Sequence, residues 1–241
     1  MPTILAVDTT TDACSVALTT QDSTHQSLII APREHTQRLL PMVASLLADT
    51  GLSLQQLDAI AYGCGPGSFT GLRIALSVAQ GLAYGADLPL IAVSSLEAMA
   101  KGAVRLQSLS NTLVLPIIDA RMDEVYWSAY TVDNNGQLEK IGVEQVASPE
   151  DCYQSIVEFP HDKLSAVGSG WHYPAFDQLE PVYKEQQCYP AAYDVAELAS
   201  ERYKKGEGSK PKDAQLTYLR NEIHWQKRAR IRKPSGAKTE A

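Results

Sequence analysis

Residues 58–85 constrain the fold most, because an apolar run, a glycine-rich loop and a second apolar run follow one another there. Residues 60–63 have the length of a buried strand, and the glycines and proline after them indicate a turn. Residues 72–83 are apolar with many small side chains, which predicts a helix capped by Ser68 or Thr70. The free amides at such a helix start can hold a phosphate, although the loop has neither P-loop nor dinucleotide-binding spacing. A tight turn without a ligand is the alternative.

The charge of the chain is unevenly distributed. Its 241 residues carry a formal net charge of −7, but residues 220–238 contain seven basic residues and one acidic residue. A basic end on an acidic body can contact RNA, and a solvated chain end is the alternative. The sequence therefore predicts a basic, disordered tail at residues 229–241.

Cysteine spacing and hydrophobicity exclude several classes of protein. The four cysteines, at positions 14, 64, 152 and 188, form no C-x-x-C pair, so neither a structural zinc site nor a disulfide framework is expected. The N-terminus lacks the basic segment of a signal peptide, and Gln80, Asp87 and Pro89 interrupt the most apolar long segment. These features predict a cytoplasmic protein without a membrane span.

Strand and helix patterns occur in two halves. The first half-domain, residues 1–108, is predicted to have strands at 4–7, 14–18, 27–31, 60–63 and 90–93 and helices at 33–49 and 72–83. The second, residues 109–228, is predicted to have strands at 113–118, 124–130, 141–146 and 164–167, a helix at 149–157 and a last helix capped by Asp194. An apolar strand, an aspartate, a short turn and another strand occur in both halves, around Asp8 and Asp119, which indicates internal duplication.

Six segments resemble the bacterial TsaB family, which is also called YeaZ. They are ILAVDTTTDACSVAL (4–18), REHTQRLLPMV (33–43), YGCGPGSFTGLRI (62–74), PLIAVSSLEAMA (89–100), IDARMDEVYW (118–127) and TYLRN (217–221). The resemblance implies an α/β fold of two duplicated ribonuclease-H-like half-domains, as in the superfamily of sugar kinases, actin and heat-shock ATPases. In that superfamily two aspartates face a cleft for a nucleotide and a metal ion, and Asp8 and Asp119 match them.

The resemblance also implies a function in tRNA modification. Members of the family are cytoplasmic partners of a homologous catalytic subunit, TsaD, and work with the small ATPase TsaE. Together these proteins transfer a threonylcarbamoyl group to the adenosine beside the tRNA anticodon. TsaB proteins are regarded as non-catalytic, and here Ser95 and Met99 stand where TsaD has a metal-binding pair of histidines.

The resemblance therefore implies no catalytic residue, no metal and no required cofactor, while weak binding of ATP, ADP or Mg²⁺ is allowed. The alternative is a stand-alone ATP-dependent phosphotransferase or a metallopeptidase of the same superfamily. The missing histidines disfavour a metallopeptidase, because a hydroxyl and a thioether are poor ligands for iron or zinc. The missing loop lysine disfavours a phosphotransferase.

One group of candidate site residues would face a nucleotide or a phosphate. These residues are Asp8, Thr9, Thr10, Gly65, Gly67, Ser68 and Asp119. As an alternative, the two aspartates only order the adjacent turns through side-chain bonds to the backbone.

A second group would contact a partner protein: His35, Leu39, Val43, Gly71, Leu72, Ala75, Leu76, Ala79 and Ala83. The apolar arc of residues 71–84 is wider than one sheet requires, and small side chains at every fourth position let another helix approach. We expect the helices at 33–49 and 72–83 to form a four-helix bundle with the equivalent helices of the TsaD homologue, and a homodimer in its absence. A monomer in which the first helix covers the second is the alternative.

Overall fold

The computed structural model describes residues 1–160 and 162–220, which form two α/β halves. The first half comprises β1 (Ile4–Asp8), β2 (Ala13–Thr19), β3 (Thr24–Ile30), α1 (His35–Thr50), β4 (Ala59–Gly65), α2 (Phe69–Ala86), β5 (Leu90–Ser94) and α3 (Ser95–Gln107). Its strands lie in the order β3-β2-β1-β4-β5, and β1 is antiparallel to β2 and parallel to β4.

The second half repeats this arrangement. It comprises β6 (Thr112–Asp119), β7 (Val125–Trp127), β8 (Tyr130–Val132), β9 (Leu138–Lys140), β10 (Gln145–Ala147), α4 (Pro149–Val157), β11 (Leu164–Val167), β12 (Tyr183–Glu185) and α5 (Ala192–Lys204). Its main path is β10-β7-β6-β11-β12, with β6 antiparallel to β7 and parallel to β11, and the β8–β9 hairpin pairs with β6. Strand order and direction match those of the first sheet, which confirms the predicted fold of two duplicated halves.

The two faces of the first sheet are covered by different helices. Side chains alternate across a strand, so Leu5 and Val7 of β1 pack with α1 and α2 on one face. Ile4 and Ala6 point to the opposite face, where they pack with Val195 and its neighbours on α5. A helix of the second half thus completes the core of the first half.

The exchange of terminal helices is reciprocal. Leu96 and Met99 of α3 pack with Val114 and Ile118 of β6, so a helix of the first half covers the second sheet. The predicted boundary between residues 108 and 109 falls in the loop between α3 and β6. Each half therefore buries its sheet with the help of the other half.

Several local predictions differ from the structure. Of the strand expected at 141–146, only the last two residues lie in a strand, β10. The sequence did not predict α3, and the strand expected at 124–130 is interrupted between β7 and β8. The last helix has Ala191 at its N-cap, whereas Asp194 lies inside the first turn. Asp194 is buried and accepts two bonds from Arg105, at 2.9 and 3.0 Å, so it joins α5 to α3 instead of capping a helix.

A segment of the C-terminal part of the chain, residues 209–220, runs along the first half, and we call it the C-terminal strap. At its start Ser209 and Leu90 exchange two backbone hydrogen bonds of 2.9 Å. Further along, the buried Tyr62 donates its hydroxyl to the carbonyl of Gln215 at 2.7 Å. The predicted tail, residues 229–241, lies outside the described residues. Among the residues that are described, no helix has the length and apolar character needed to cross a membrane.

Candidate functional site

A cleft of about 470 Å³ opens between the two halves. Its walls come from the turn between β1 and β2, the start of α2, the turn after β6 and the end of the C-terminal strap. Four of the seven residues predicted to face a nucleotide or phosphate line it: Thr10, Gly67, Ser68 and Asp119. Duplication of the fold thus brings the two aspartate-bearing turns to opposite walls of one cleft.

Asp8 is buried beneath the cleft and does not face it. Its Oδ1 atom accepts bonds from the amide and the hydroxyl of Thr10, both at 2.9 Å, whereas Oδ2 is buried and has no hydrogen-bond partner among the described residues. A Cβ atom at Gly63 would lie 1.9 Å from Oδ2, so this glycine leaves the room that the carboxyl needs. The pKa of Asp8 is raised from 3.8 to about 7, because burial raises it by more than the hydrogen bonds from Thr10 lower it. The prediction that Asp8 faces a ligand is therefore corrected.

Thr9 and Gly65 are packed against other parts of the protein. The hydroxyl of Thr9 donates to the carbonyl of Gly71 at 2.7 Å, and a Cβ atom at Gly71 would lie 1.9 Å from the Thr9 carbonyl oxygen. Gly65 is covered by the carbonyl oxygen of Thr217, 2.8 Å from where a Cβ atom would be. Ser68, the predicted helix cap, accepts a bond from the amide of Gly71 at 3.3 Å. The turn after β1 therefore supports the start of α2, and Thr9 and Gly65 are not available to a ligand.

Asp119 reaches the cleft but is already paired. Its Oδ1 atom accepts a bond of 2.8 Å from the amide of Arg121, as Asp8 does from the amide two residues after it. Its Oδ2 atom accepts a bond of 3.0 Å from the guanidinium of Arg121, and Tyr173 donates to Oδ1 at 3.1 Å. Both aspartates thus order the turns that follow them, and in the second half the arginine also neutralises the carboxylate.

The turn after Asp119 has an unusual backbone. Arg121, Met122 and Asp123 have φ angles of 64°, 59° and 57°, a left-handed conformation that is rare outside glycine. Arg220 of the C-terminal strap donates to the carbonyls of Ala120 and Arg121, each at 3.2 Å, and forms an ion pair with Glu124. These bonds tie the turn of the second half to the end of the C-terminal strap.

The cleft residues do not fit a magnesium-bound nucleotide, which the fold superfamily implies. Mg²⁺ requires accessible, ionised oxygen ligands, but Asp8 is buried and Asp119 is bound by Arg121. Within the described ranges no group of three or more histidine, cysteine, aspartate or glutamate side chains has metal-binding geometry. Ser95 and Met99 are buried, and Met99 packs against Gly168.

The cleft has further lining residues that the sequence did not predict. Arg121, Tyr126, Ser169, Tyr189 and Arg220 also line it. Arg121 and Arg220 lie in two segments that resemble the TsaB family, which was a usable signal. Tyr189 lies in no recognisable sequence motif, so its position at the cleft follows only from the three-dimensional fold.

The predicted partner-binding residues are mostly turned inward. Leu76 is partly buried. The other eight are buried against the protein's own sheet: His35, Leu39, Val43, Gly71, Leu72, Ala75, Ala79 and Ala83. The row of small side chains on α2 lets that helix approach its own sheet closely, not another protein. The assignment of these eight residues to a partner is therefore corrected.

The outer face of α1 and α2 carries a different set of apolar side chains. Leu40 is 49% exposed, Phe69 55% and Tyr84 84%. A groove of about 390 Å³ runs between the helices, and we call it the α1–α2 groove; it is lined mainly by Leu40, Phe69, Arg73, Ile74 and Val78. An exposed apolar groove of this kind is typical of a protein–protein contact.

The sequence is similar to a family model and to curated proteins over most of its length. The family model described as TsaD, tRNA N6-adenosine threonylcarbamoyltransferase, matches residues 20–205. A protein of Escherichia coli named tRNA threonylcarbamoyladenosine biosynthesis protein TsaB is 42% identical over 227 residues, which cover 93% of this chain and 97% of that protein. The chain belongs to the TsaB family. A TsaB protein of Haemophilus influenzae is also 42% identical and covers 93% of this chain and 96% of its own length.

A solved structure of a TsaB-family member supports the same assignment. The structure described as YeaZ from Pseudomonas aeruginosa has a TM-score of 0.81 and 42% identity, and the match covers 91% of this chain and all of that one. A second structure from the same organism, described as similar to peptidase YeaZ, has a TM-score of 0.83. The recognition of the TsaB family from sequence segments is confirmed.

Proposed function

We propose that this TsaB-family chain serves tRNA threonylcarbamoyladenosine biosynthesis as a non-catalytic subunit that docks a TsaD homologue on the outer face of α1 and α2. The observation that carries the proposal is the α1–α2 groove, an apolar surface on a chain whose own fold matches the TsaD model. A homologous partner has equivalent helices, so the two proteins can meet through like faces and form a four-helix bundle.

The absence of a catalytic role is supported by the cleft. A phosphotransferase needs carboxylates that are free to hold its metal, whereas here Asp119 is paired with Arg121 and Asp8 is buried. One related structure is described as similar to a peptidase, and a metallopeptidase would need metal ligands that the described residues do not assemble.

The remaining partners follow from the family. TsaE and tRNA would meet this chain within the complex, and without the TsaD homologue the same face would form a homodimer. A cytoplasmic location, where tRNA is modified, and contact of tRNA with the basic tail stay predictions.

Loss of this protein is expected to remove threonylcarbamoyladenosine from cellular tRNA, as measured by nucleoside analysis after depletion. Wild-type protein should restore the nucleoside. Leu40→Glu should fail to restore it, because a charge at a half-exposed groove position opposes docking. Ser45→Glu is the matched control, since Ser45 is exposed on the same helix and does not line the groove. An unchanged nucleoside level after depletion would refute the function, and rescue by Leu40→Glu would refute the docking face.

The purified chain is expected to hydrolyse ATP no faster than buffer, with or without Mg²⁺, and Asp119→Ala should leave this background unchanged. The physical reason is that the carboxylate of Asp119 is already paired with the guanidinium of Arg121, at 3.0 Å. The measurement is phosphate release over hours at high protein concentration. Steady turnover that Asp119→Ala abolishes would show that the subunit is an enzyme.

A further inference from the structure

The C-terminal strap is fastened beside α2 by bonds to its helix and its sheet. Gln80 of α2 donates its side-chain amide to the carbonyl of Pro211 at 2.7 Å. The amide of Thr217 donates to the carbonyl of Cys64 at the end of β4, at 2.8 Å. These contacts fix the path of the strap up to the residue before Tyr218.

This path places Tyr218 on the outer surface of α2. Its ring centre lies 5.9 Å from that of Phe69, and 44% of Tyr218 remains exposed. The guanidinium carbon of Arg73 lies 3.3 Å from the ring centre of Phe69 and 5.5 Å from that of Tyr218. The planes of the two rings are inclined at 46°, and the guanidinium lies over the Phe69 ring; we call this group of two aromatic rings and a cation the 69–73–218 stack.

The 69–73–218 stack lies at one end of the α1–α2 groove, because Phe69 and Arg73 also line that groove. Tyrosine and arginine are over-represented among residues that dominate binding energy at interfaces. Rings and a guanidinium that already contact one another lose little conformational freedom when a partner binds. In the part of the chain that the structure describes, Arg73 takes part in no ion pair, so its charge is available to a carboxylate.

We propose that Tyr218 of the C-terminal strap belongs to the surface that docks the TsaD homologue. This inference rests on the proposed function, because the α1–α2 groove is its docking face. The groove would accept an apolar side chain from a helix of the partner, and Arg73 would pair with a carboxylate beside it. The docking surface is then built from two separate parts of the sequence, the two helices and the strap.

The test is the affinity of the full-length chain for the purified TsaD homologue, measured by isothermal titration calorimetry. Tyr218→Ala should weaken binding about tenfold or more, because truncating a tyrosine that dominates the binding energy of an interface has an effect of at least that order. Tyr218→Phe keeps the ring and should bind within about twofold of wild type. Lys212→Ala, at an exposed position of the same strap, should leave affinity unchanged.

A variant in the groove separates failure of this inference from failure of the proposed function. Ile74→Glu changes the groove itself and should weaken binding more strongly than Tyr218→Ala. If Ile74→Glu abolishes binding while Tyr218→Ala binds as wild type, Tyr218 is outside the interface and the inference is overturned. If both variants bind as wild type, the docking face lies elsewhere and both proposals fail. Circular dichroism and thermal melting of each variant identify any loss of folding.

Discussion

Replacing Asp8 by asparagine is expected to stabilise the protein above pH 7 by about 4 kcal/mol. The carboxyl is fully buried, and within residues 1–160 and 162–220 its Oδ2 atom has no hydrogen-bond partner, so ionisation in the folded state is unfavourable. The pKa of Asp8 is about 7 in the folded protein against an ordinary value of 3.8, and the difference sets the size of the effect. Asparagine resembles the protonated acid in shape and carries no charge.

The gain depends on pH in a defined direction. Below the ordinary pKa of 3.8 the acid is protonated in both the folded and the unfolded state, and its ionisation has no influence on stability. Between pH 3.8 and about 7 the unfolded state releases the proton while the folded state retains it, so the wild-type free energy of unfolding falls as pH rises. Above about pH 7 the loss is complete.

Urea unfolding at several pH values between 4 and 8.5 measures this effect for wild type and Asp8→Asn. The difference between the two proteins should be small at the acidic end and should grow up to about pH 7. Asp58→Asn is the matched control, because Asp58 is exposed and accepts one backbone bond, from Thr3 at 2.7 Å. Parallel pH profiles for wild type and Asp8→Asn would show that the folded state ionises this carboxyl as readily as the unfolded state.

Arginine at Ala75 is expected to unfold the protein, whereas arginine two residues away at Ser77 should leave it folded. Ala75 is fully buried between α2 and the first sheet, and a guanidinium there would lose its hydration without gaining a partner. Loss of more than about 4 kcal/mol is typical of such a buried, unpaired charge. Ser77 is exposed on the outer face of the same helix.

Circular dichroism and thermal melting report the folding of both variants, and binding to the TsaD homologue is measured for the folded one. Ser77→Arg should keep the wild-type spectrum but lose affinity, because Ser77 lines the α1–α2 groove. A folded Ala75→Arg protein would mean that α2 can move away from its sheet.

Much of the architecture was predictable from the sequence, because many helices, strands and turns are determined by residues close together in the chain. The strand, the glycine loop and the helix capped by Ser68 follow from neighbouring residues, and the two aspartates revealed the duplication. The inward direction of Ala75 and Ala79 was not predictable from the helical wheel, since a wheel shows which residues share a face but not what that face meets. A wide apolar arc and small side chains fit a tight helix–sheet contact as well as a helix–helix contact.

Long-range contacts account for the remaining errors. The pairing of Asp194 with Arg105 joins residues 89 positions apart, and the placement of Tyr218 beside Phe69 depends on the whole path of the C-terminal strap. Neither pair forms a sequence motif. The burial of Asp8 likewise depends on strands on both sides of β1, which a local pattern of an apolar strand and an aspartate does not reveal.

The exchange of α3 and α5 has a consequence for synthesis on the ribosome. The last strand of the first sheet, β5, ends at Ser94. Helix α5, which covers one face of that sheet, is complete only at Lys204, 110 residues later. At about 5–20 residues per second, this interval lasts roughly 5 to 20 seconds. During that time Ile4, Ala6 and Ala17 have no covering helix, so a nascent chain stopped in this interval presents an apolar sheet face to other proteins. A chaperone that binds such a face would act on the first half even though the native half is fully covered.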